Sequence, residues 1–182
     1  AVVRLLLERG VKQSSSMEGA SPLYIAAQYR KPKIAELLIE HGANVDEQLP
    51  RDGATPLFIS VGSGYTDIIE VLMRRNANAS IPNHYGATPV SFACRSGRMD
   101  VLGLLVKFGA DLMTPVAEGM TCMHFAAQSG QSHLVKLILE SGRTKADLKA
   151  QDNQTPLHLA AEYQRKPVVE LLIAHGANVN AP

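Results

Sequence analysis

No apolar run in the 182 residues approaches the roughly 18 that a bilayer-spanning helix needs, and no basic head, apolar stretch and small cleavage residues open the chain. Membrane insertion is therefore not expected. Charge of one sign is also scarce, because 18 Lys and Arg against 17 Asp and Glu leave a formal net charge of +1. That balance gives no global attraction to nucleic acid. The two cysteines, Cys94 and Cys122, are too few for a structural zinc, and none of the six histidines stands at the close Cys/His spacing of such a site. A Gly-rich phosphate loop with its lysine is missing, and so is a nucleophile elbow. The sequence thus points to no catalytic residue, metal or cofactor, and to no enzyme within these residues.

What is present is a repeated tetrapeptide: Ser21-Pro22-Leu23-Tyr24, Thr55-Pro56-Leu57-Phe58, Thr88-Pro89-Val90-Ser91, Thr121-Cys122-Met123-His124 and Thr155-Pro156-Leu157-His158. Their first residues lie 34, 33, 33 and 34 apart. A period of this length means a stack of supersecondary units and not a globule around one core. Each Ser/Thr suits an N-cap, and the proline behind it suits the first helical position, where no amide hydrogen is needed. Small residues follow, as in Ile25-Ala26-Ala27 and Leu159-Ala160-Ala161, and predict a short, closely packed helix.

A second helix is predicted from an i, i+3, i+4 triplet that recurs at Val2/Leu5/Leu6, Ile34/Leu37/Leu38, Ile68/Val71/Leu72, Val101/Leu104/Leu105, Leu134/Leu137/Ile138 and Val168/Leu171/Leu172. Each copy stops at a residue suited to a left-handed C-cap: Gly10, Gly42, Asn76, Gly109, Gly142 or Gly176. The polar segments that follow suit a turn or small hairpin, and the extra residue of each 34-residue spacing falls there, near Leu49-Pro50 and near Thr144-Lys145. Both cysteines occupy positions that are apolar or small in the other units. This is the usual behaviour of reduced intracellular thiols and places the chain in cytosol or nucleus.

The last unit, with Gln154-Thr155-Pro156-Leu157-His158-Leu159-Ala160-Ala161 and Gly176-Ala177-Asn178-Val179-Asn180, closely resembles the ankyrin repeat. The resemblance implies an all-α solenoid of helix-turn-helix units with projecting β-hairpin loops. It also implies a single domain over residues 1–182, with a partial repeat at 1–17 and repeats at about 18–51, 52–84, 85–117, 118–151 and 152–182. Because the chain starts inside a second helix, it reads as a segment of a longer protein. The family's histidine at the tetrapeptide's fourth position makes structural bonds between loops, which assigns His124 and His158 a structural role.

In this family partners usually dock on the concave face formed by hairpin tips and first helices. At those positions the chain carries Gln28, Tyr29, Arg51, Asp52, His84, Tyr85, Arg95, Met120, Gln128, Glu162 and Tyr163. Tyr and Arg are enriched at binding hot spots, which singles out Tyr85 with Arg95. The expected function is a protein interaction module or scaffold, acting as a monomer on another protein or peptide. The alternatives are a structural spacer in a longer solenoid, or the targeting region of an enzyme whose catalytic domain lies outside this chain. Arg30, Lys31, Lys33, Arg98, Arg165 and Lys166 could form a basic stripe for phosphate or acidic lipid at the inter-helix turns. Tyr65, Asp67 and Asp100 interrupt it, which favours an ordinary solvated edge.

Overall fold

Helix starts follow from the Ser/Thr residues. In the computed structural model, which describes residues 19–141 and 145–181, the Ser21 hydroxyl accepts from the Tyr24 N–H (3.2 Å) to open α1 (Pro22–Gln28). Thr55 does the same for Phe58 (3.1 Å) at the start of α3 (Pro56–Ser63). A longer helix follows each short one: α2 (Pro32–Glu40), α4 (Thr66–Arg74), then α5 (Pro89–Ser96) with α6 (Met99–Lys107), α7 (Cys122–Ser129) with α8 (Ser132–Glu140), and α9 (Pro156–Glu162) with α10 (Lys166–Ala174). The architecture is an all-α repeat solenoid. The first triplet, Gly10, Gly142 and Thr144 lie outside the described residues.

The triplets do face inward, with one adjustment. Their first and last members are buried in four copies (Ile68 and Leu72, Val101 and Leu105, Leu134 and Ile138, Val168 and Leu172), and so are the neighbours Ala35, Ile69, Leu102 and Val135. The middle member sits at the margin, and Leu137 is 47% exposed. In the first copy only Leu38 is buried, since Ile34 reaches the surface. Helix ends behave as expected, with φ of +86° at Gly42, +61° at Asn76, +87° at Gly109 and +84° at Gly176.

One loop expectation needs refinement. The projecting β-hairpins are tight turns, and no strand occurs among the described residues. Asn83 donates to the Ala87 carbonyl (2.9 Å), Val116 to Met120 (2.9 Å) and Ala150 to Gln154 (2.8 Å), each closing a five-residue turn, and Cys122 donates to Leu112 (3.3 Å) outside the second of them. Leu49 donates to Ala54 (2.9 Å), one residue wider, which accommodates the first 34-residue spacing. Leu49 packs with Ala20, Tyr24 and Ala54, so this wider turn turns an apolar side chain inward.

The turn between paired helices keeps one conformation in every unit. Gly64, Gly97 and Gly130 adopt φ of +72°, +63° and +78° there, and the units without glycine keep the same conformation, at Arg30 (+52°) and Gln164 (+55°). Pro32 and Pro167 do lie in the first turns of α2 and α10, but they do not replace the left-handed residue. Each non-glycine residue held there carries a strain of order 1 kcal/mol or more.

The described residues form two compact units: those up to Pro89 together with Gly103–Ala110, and Val90–Leu102 together with Asp111–Pro182. In the first, α1 packs on α3 and α2 on α4, around Leu57, Val61, Ile68, Ile69 and Leu72, all fully buried. In the second, α7 packs on α9 and α8 on α10, around Met123, Ala126, Val135, Ala160 and Leu172. The second unit also overturns the expectation of two reduced thiols. Cys94 on α5 and Cys122 at the start of α7 form a disulfide, with Cα atoms 5.3 Å apart. Cys122 stands where most tetrapeptides have proline, and stacking sets that position against the small-residue position of the preceding repeat, within bridging range. The argument for a reducing compartment thereby loses its premise.

Candidate interaction surface

In the first unit the loop tips are fixed by their own polar groups. The Asp52 carboxylate accepts from the Ala54 N–H (3.0 Å) and pairs with Arg51 (3.4 Å), while its backbone carbonyl accepts from the His84 N–H (2.8 Å) of the next tip. The His84 ring lies over Gly53, where φ is +73° and an added Cβ would stand 2.6 Å from Cδ2. Glycine is required at Gly53 for both reasons. Beside it, the Asn83 side chain accepts from the Tyr85 (3.0 Å) and Ala87 (2.9 Å) N–H groups, and Tyr85 projects with 81% of its surface exposed. Gln28 and Tyr29, at the end of α1, are also exposed. Of the residues expected in this unit, Gln28, Tyr29, Arg51, His84 and Tyr85 are displayed, while half-buried Asp52 and the His84 backbone couple one loop to the next.

In the second unit Arg95, Glu162 and Tyr163 are exposed and Gln128 is half-buried. Met120 is an exception, at 9% exposure. It closes the turn by accepting at its carbonyl from Val116, and its side chain belongs to the interior more than to the displayed set. The Arg95 guanidinium carbon lies 5.1 Å from the centre of the Phe125 ring on the neighbouring first helix, a cation–π distance. Sequence reasoning singled out Arg95 and missed its aromatic support, because position 125 reads simply as an apolar residue of a short helix.

His124 shows what the tetrapeptide histidine does. Its Nδ1 accepts from the Thr121 N–H (3.1 Å), which leaves the proton on Nε2 to face the carbonyl of Leu148 (3.2 Å), near the end of its own repeat, and that of Gln154 (3.3 Å), in the following one. Burial pushes its pKa below the ordinary histidine value, although the two carbonyls partly oppose that shift. His158 repeats the capping contact with Thr155 (3.1 Å). Both are structural groups.

Three of the six members of the basic stripe, Arg30, Arg165 and Lys166, are held in local contacts. Arg30 Nε lies 3.1 and 3.2 Å from the two Asp67 oxygens and its guanidinium stacks 5.4 Å from the Tyr65 ring, while Lys166 pairs with Glu170 (3.8 Å). Arg165 Nε donates to the Gln128 carbonyl (3.0 Å), and its chain crosses Gly130, where a Cβ would stand 2.9 Å from Cδ.

Short helix pairs at a period of 33 or 34 residues, coupled by loop-to-loop bonds and carrying variable exposed side chains at tips and first helices, define a helix-pair repeat protein. Sequence comparison agrees. The pattern described as ankyrin repeats (3 copies) matches residues 44–116 and 109–182, and the single ankyrin repeat pattern matches residues 18–48. The chain belongs to the ankyrin repeat family, whose repeats generally act as protein–protein interaction modules. Comparison with curated proteins found no match. Among the described residues no helix is long and apolar enough to cross a membrane.

Proposed function

We propose that the chain binds a partner protein or peptide through the face formed by its loop tips and first helices, as a monomer. In the first unit the contacting side chains are Gln28, Tyr29, Arg51 and Tyr85, and in the second Arg95, Gln128, Glu162 and Tyr163. Exposed His84 joins the first set, and Asp52 and Met120 hold the loops that present these side chains. The observation that carries this reading is the display of Tyr29 (63% exposed), Tyr85 (81%) and Tyr163 (43%) on a framework whose repeating positions are buried. A tyrosine buries a large ring at low side-chain entropy cost and keeps a hydroxyl for hydrogen bonding, which makes it an efficient anchor.

Affinity capture tests the proposal with two double variants that keep the wild-type melting temperature: Tyr29→Ala/Tyr85→Ala for the first unit and Arg95→Glu/Tyr163→Ala for the second. A protein retained by the wild type and lost from either variant supports the reading. Equal retention by all three overturns it and moves attention to the outer helices.

A further inference from the structure

Seven arginines lie among the described residues, and five are committed within the molecule. Arg30 pairs with Asp67, Arg51 with Asp52, Arg74 with Glu70, Arg75 with Glu40, and Arg165 bonds the Gln128 carbonyl. The Arg95 and Arg98 side chains have no ion pair or hydrogen bond among the described residues. Of these two, only Arg95 is backed by an aromatic ring, that of Phe125, itself 7% exposed and fixed in the core.

We propose that Arg95 is a carboxylate-binding anchor, and that the partner presents an acidic residue, Asp or Glu, in an extended peptide segment laid across the first helices of the second unit. Stacking occupies the face of the guanidinium and leaves its N–H donors free at the edge, the geometry that meets a carboxylate with two parallel bonds. A stacked guanidinium has also lost much of its freedom before the ligand arrives. The disulfide adds to that preorganisation. Cys94, adjacent to Arg95, is bonded to Cys122 on the helix that carries Phe125, so the two elements of the stack are covalently tied. The same register position in the next two repeats holds Gln128 and then Glu162, so the row changes from cation through neutral to anion. An acidic residue fits only its Arg95 end, which fixes the direction of the peptide.

This inference rests on the interaction face proposed above and has its own test. Three fluorescein-labelled pools of twelve-residue peptides share a randomised background of small and apolar residues. Each pool fixes its central position, as Asp/Glu, as Asn/Gln or as Lys. Fluorescence anisotropy with the oxidised protein is expected to show the acidic pool binding about tenfold more tightly than the amide pool. Arg95→Gln is expected to abolish the preference, Arg95→Lys to keep only part of it, and Arg98→Gln to leave it intact. Equal binding of the acidic and amide pools, or a preference that survives Arg95→Gln, overturns the proposal. In that case, pools that still lose binding on Tyr163→Ala leave the interaction face standing without its carboxylate anchor. Absence of binding by every pool, or a preference for a single-stranded oligonucleotide over the acidic pool, overturns it as well.

Discussion

In the first unit, successive repeats are fastened at their rims. Arg30 meets Asp67, Arg75 meets Glu40 (3.1 Å), Asp46 accepts from the Asn78 N–H (2.9 Å), and the Asp52 carbonyl accepts from His84. The second unit has rim contacts too, with Asp147 accepting from the Asn178 N–H (2.9 Å) and Arg165 donating to the Gln128 carbonyl (3.0 Å), but it adds a fastening through the interior, by the Cys94–Cys122 disulfide and by the His124 ring reaching Leu148 and Gln154. Exposed ion pairs contribute little, about 0–1 kcal/mol each, so cohesion in the first unit falls to its aliphatic interface of Ile68, Ile69 and Leu72. The second unit places a covalent link and a buried polar bridge between neighbouring repeats. The first is therefore expected to respond to loss of packing, and the second to redox state and acid as well.

The largest effect is expected at the position five residues after the helix-opening Ser/Thr. Ala126 occupies it in the second unit with no exposure, and Ser60 occupies it in the first, where its hydroxyl donates to the Pro56 carbonyl (2.7 Å). One small polar group is thus tolerated where the helix can satisfy it. A carboxylate is not, and Ala126→Asp should lower stability by about 4 kcal/mol through an unpaired buried charge. Ser60→Ala should change it by about 1 kcal/mol or less. Urea denaturation followed by circular dichroism measures both, and an unchanged Ala126→Asp midpoint contradicts the close packing of α7.

Next in size is the disulfide, which closes a loop with a sequence separation of 28. Chain-entropy arguments put its stabilisation at about 3 kcal/mol. Reduction with dithiothreitol, or Cys94→Ala/Cys122→Ala, should lower the denaturation midpoint accordingly. Hydrogen exchange should quicken in α7 while α3 and α4 keep their protection. A midpoint indifferent to reductant means that the two sulfurs are not joined.

pH separates the two units by opposite signs. His124 has a lowered folded pKa, so its contribution is complete above the unfolded value of about 6.5 and is lost as pH falls through the lower, folded one. Tyr24, at the equivalent position in the first unit, has a raised folded pKa, chiefly from burial and next from the Asp52 charge, with Arg51 opposing. Its contribution is complete below about pH 10 and is lost as pH rises through the higher, folded value. Acid should therefore loosen α7 first and alkali α1, as read by hydrogen exchange at matched intrinsic rates. His124→Leu should remove the acid slope and cost about 2 kcal/mol at neutral pH, because the Thr121 N–H loses its buried acceptor.

The repeat period, the caps and the left-handed helix stops were legible because backbone geometry dictates residue type at those positions. Contacts between repeats were not. Cys94 and Cys122 occupy different places within their repeats and are neighbours only through stacking, so a reading that aligns like with like keeps them apart. Arg95 was visible as an exposed hot-spot residue, whereas Phe125 beneath it carried no signal beyond hydrophobicity. The bond from the His84 N–H to the Asp52 carbonyl was hidden because a backbone bond from one tip to the next leaves no mark in the sequence. Met120 was placed among the displayed residues by position, but its side chain turns inward, leaving 9% exposure.

The smallest effects concern the turns that do without glycine. Arg30 and Gln164 are held at φ of +52° and +55°, but only Arg30 has compensation, from the Asp67 carboxylate and the Tyr65 ring. Gln164→Gly relieves backbone strain and gives up no side-chain hydrogen bond among the described residues, so it should stabilise by about 0.5–1 kcal/mol after the added freedom of the unfolded chain is subtracted. Arg30→Gly relieves the same strain and gives up an ion pair whose partners are 57% and 40% exposed, worth up to about 1 kcal/mol, together with a cation–π contact. Its net effect should lie within about 0.5 kcal/mol of zero. If Asp67→Asn is introduced first, that pairing is already lost, and Arg30→Gly should then stabilise almost as much as Gln164→Gly. Equal responses to Arg30→Gly with and without Asp67 would show that the rim contact contributes nothing and that the first unit is held by its aliphatic interface alone.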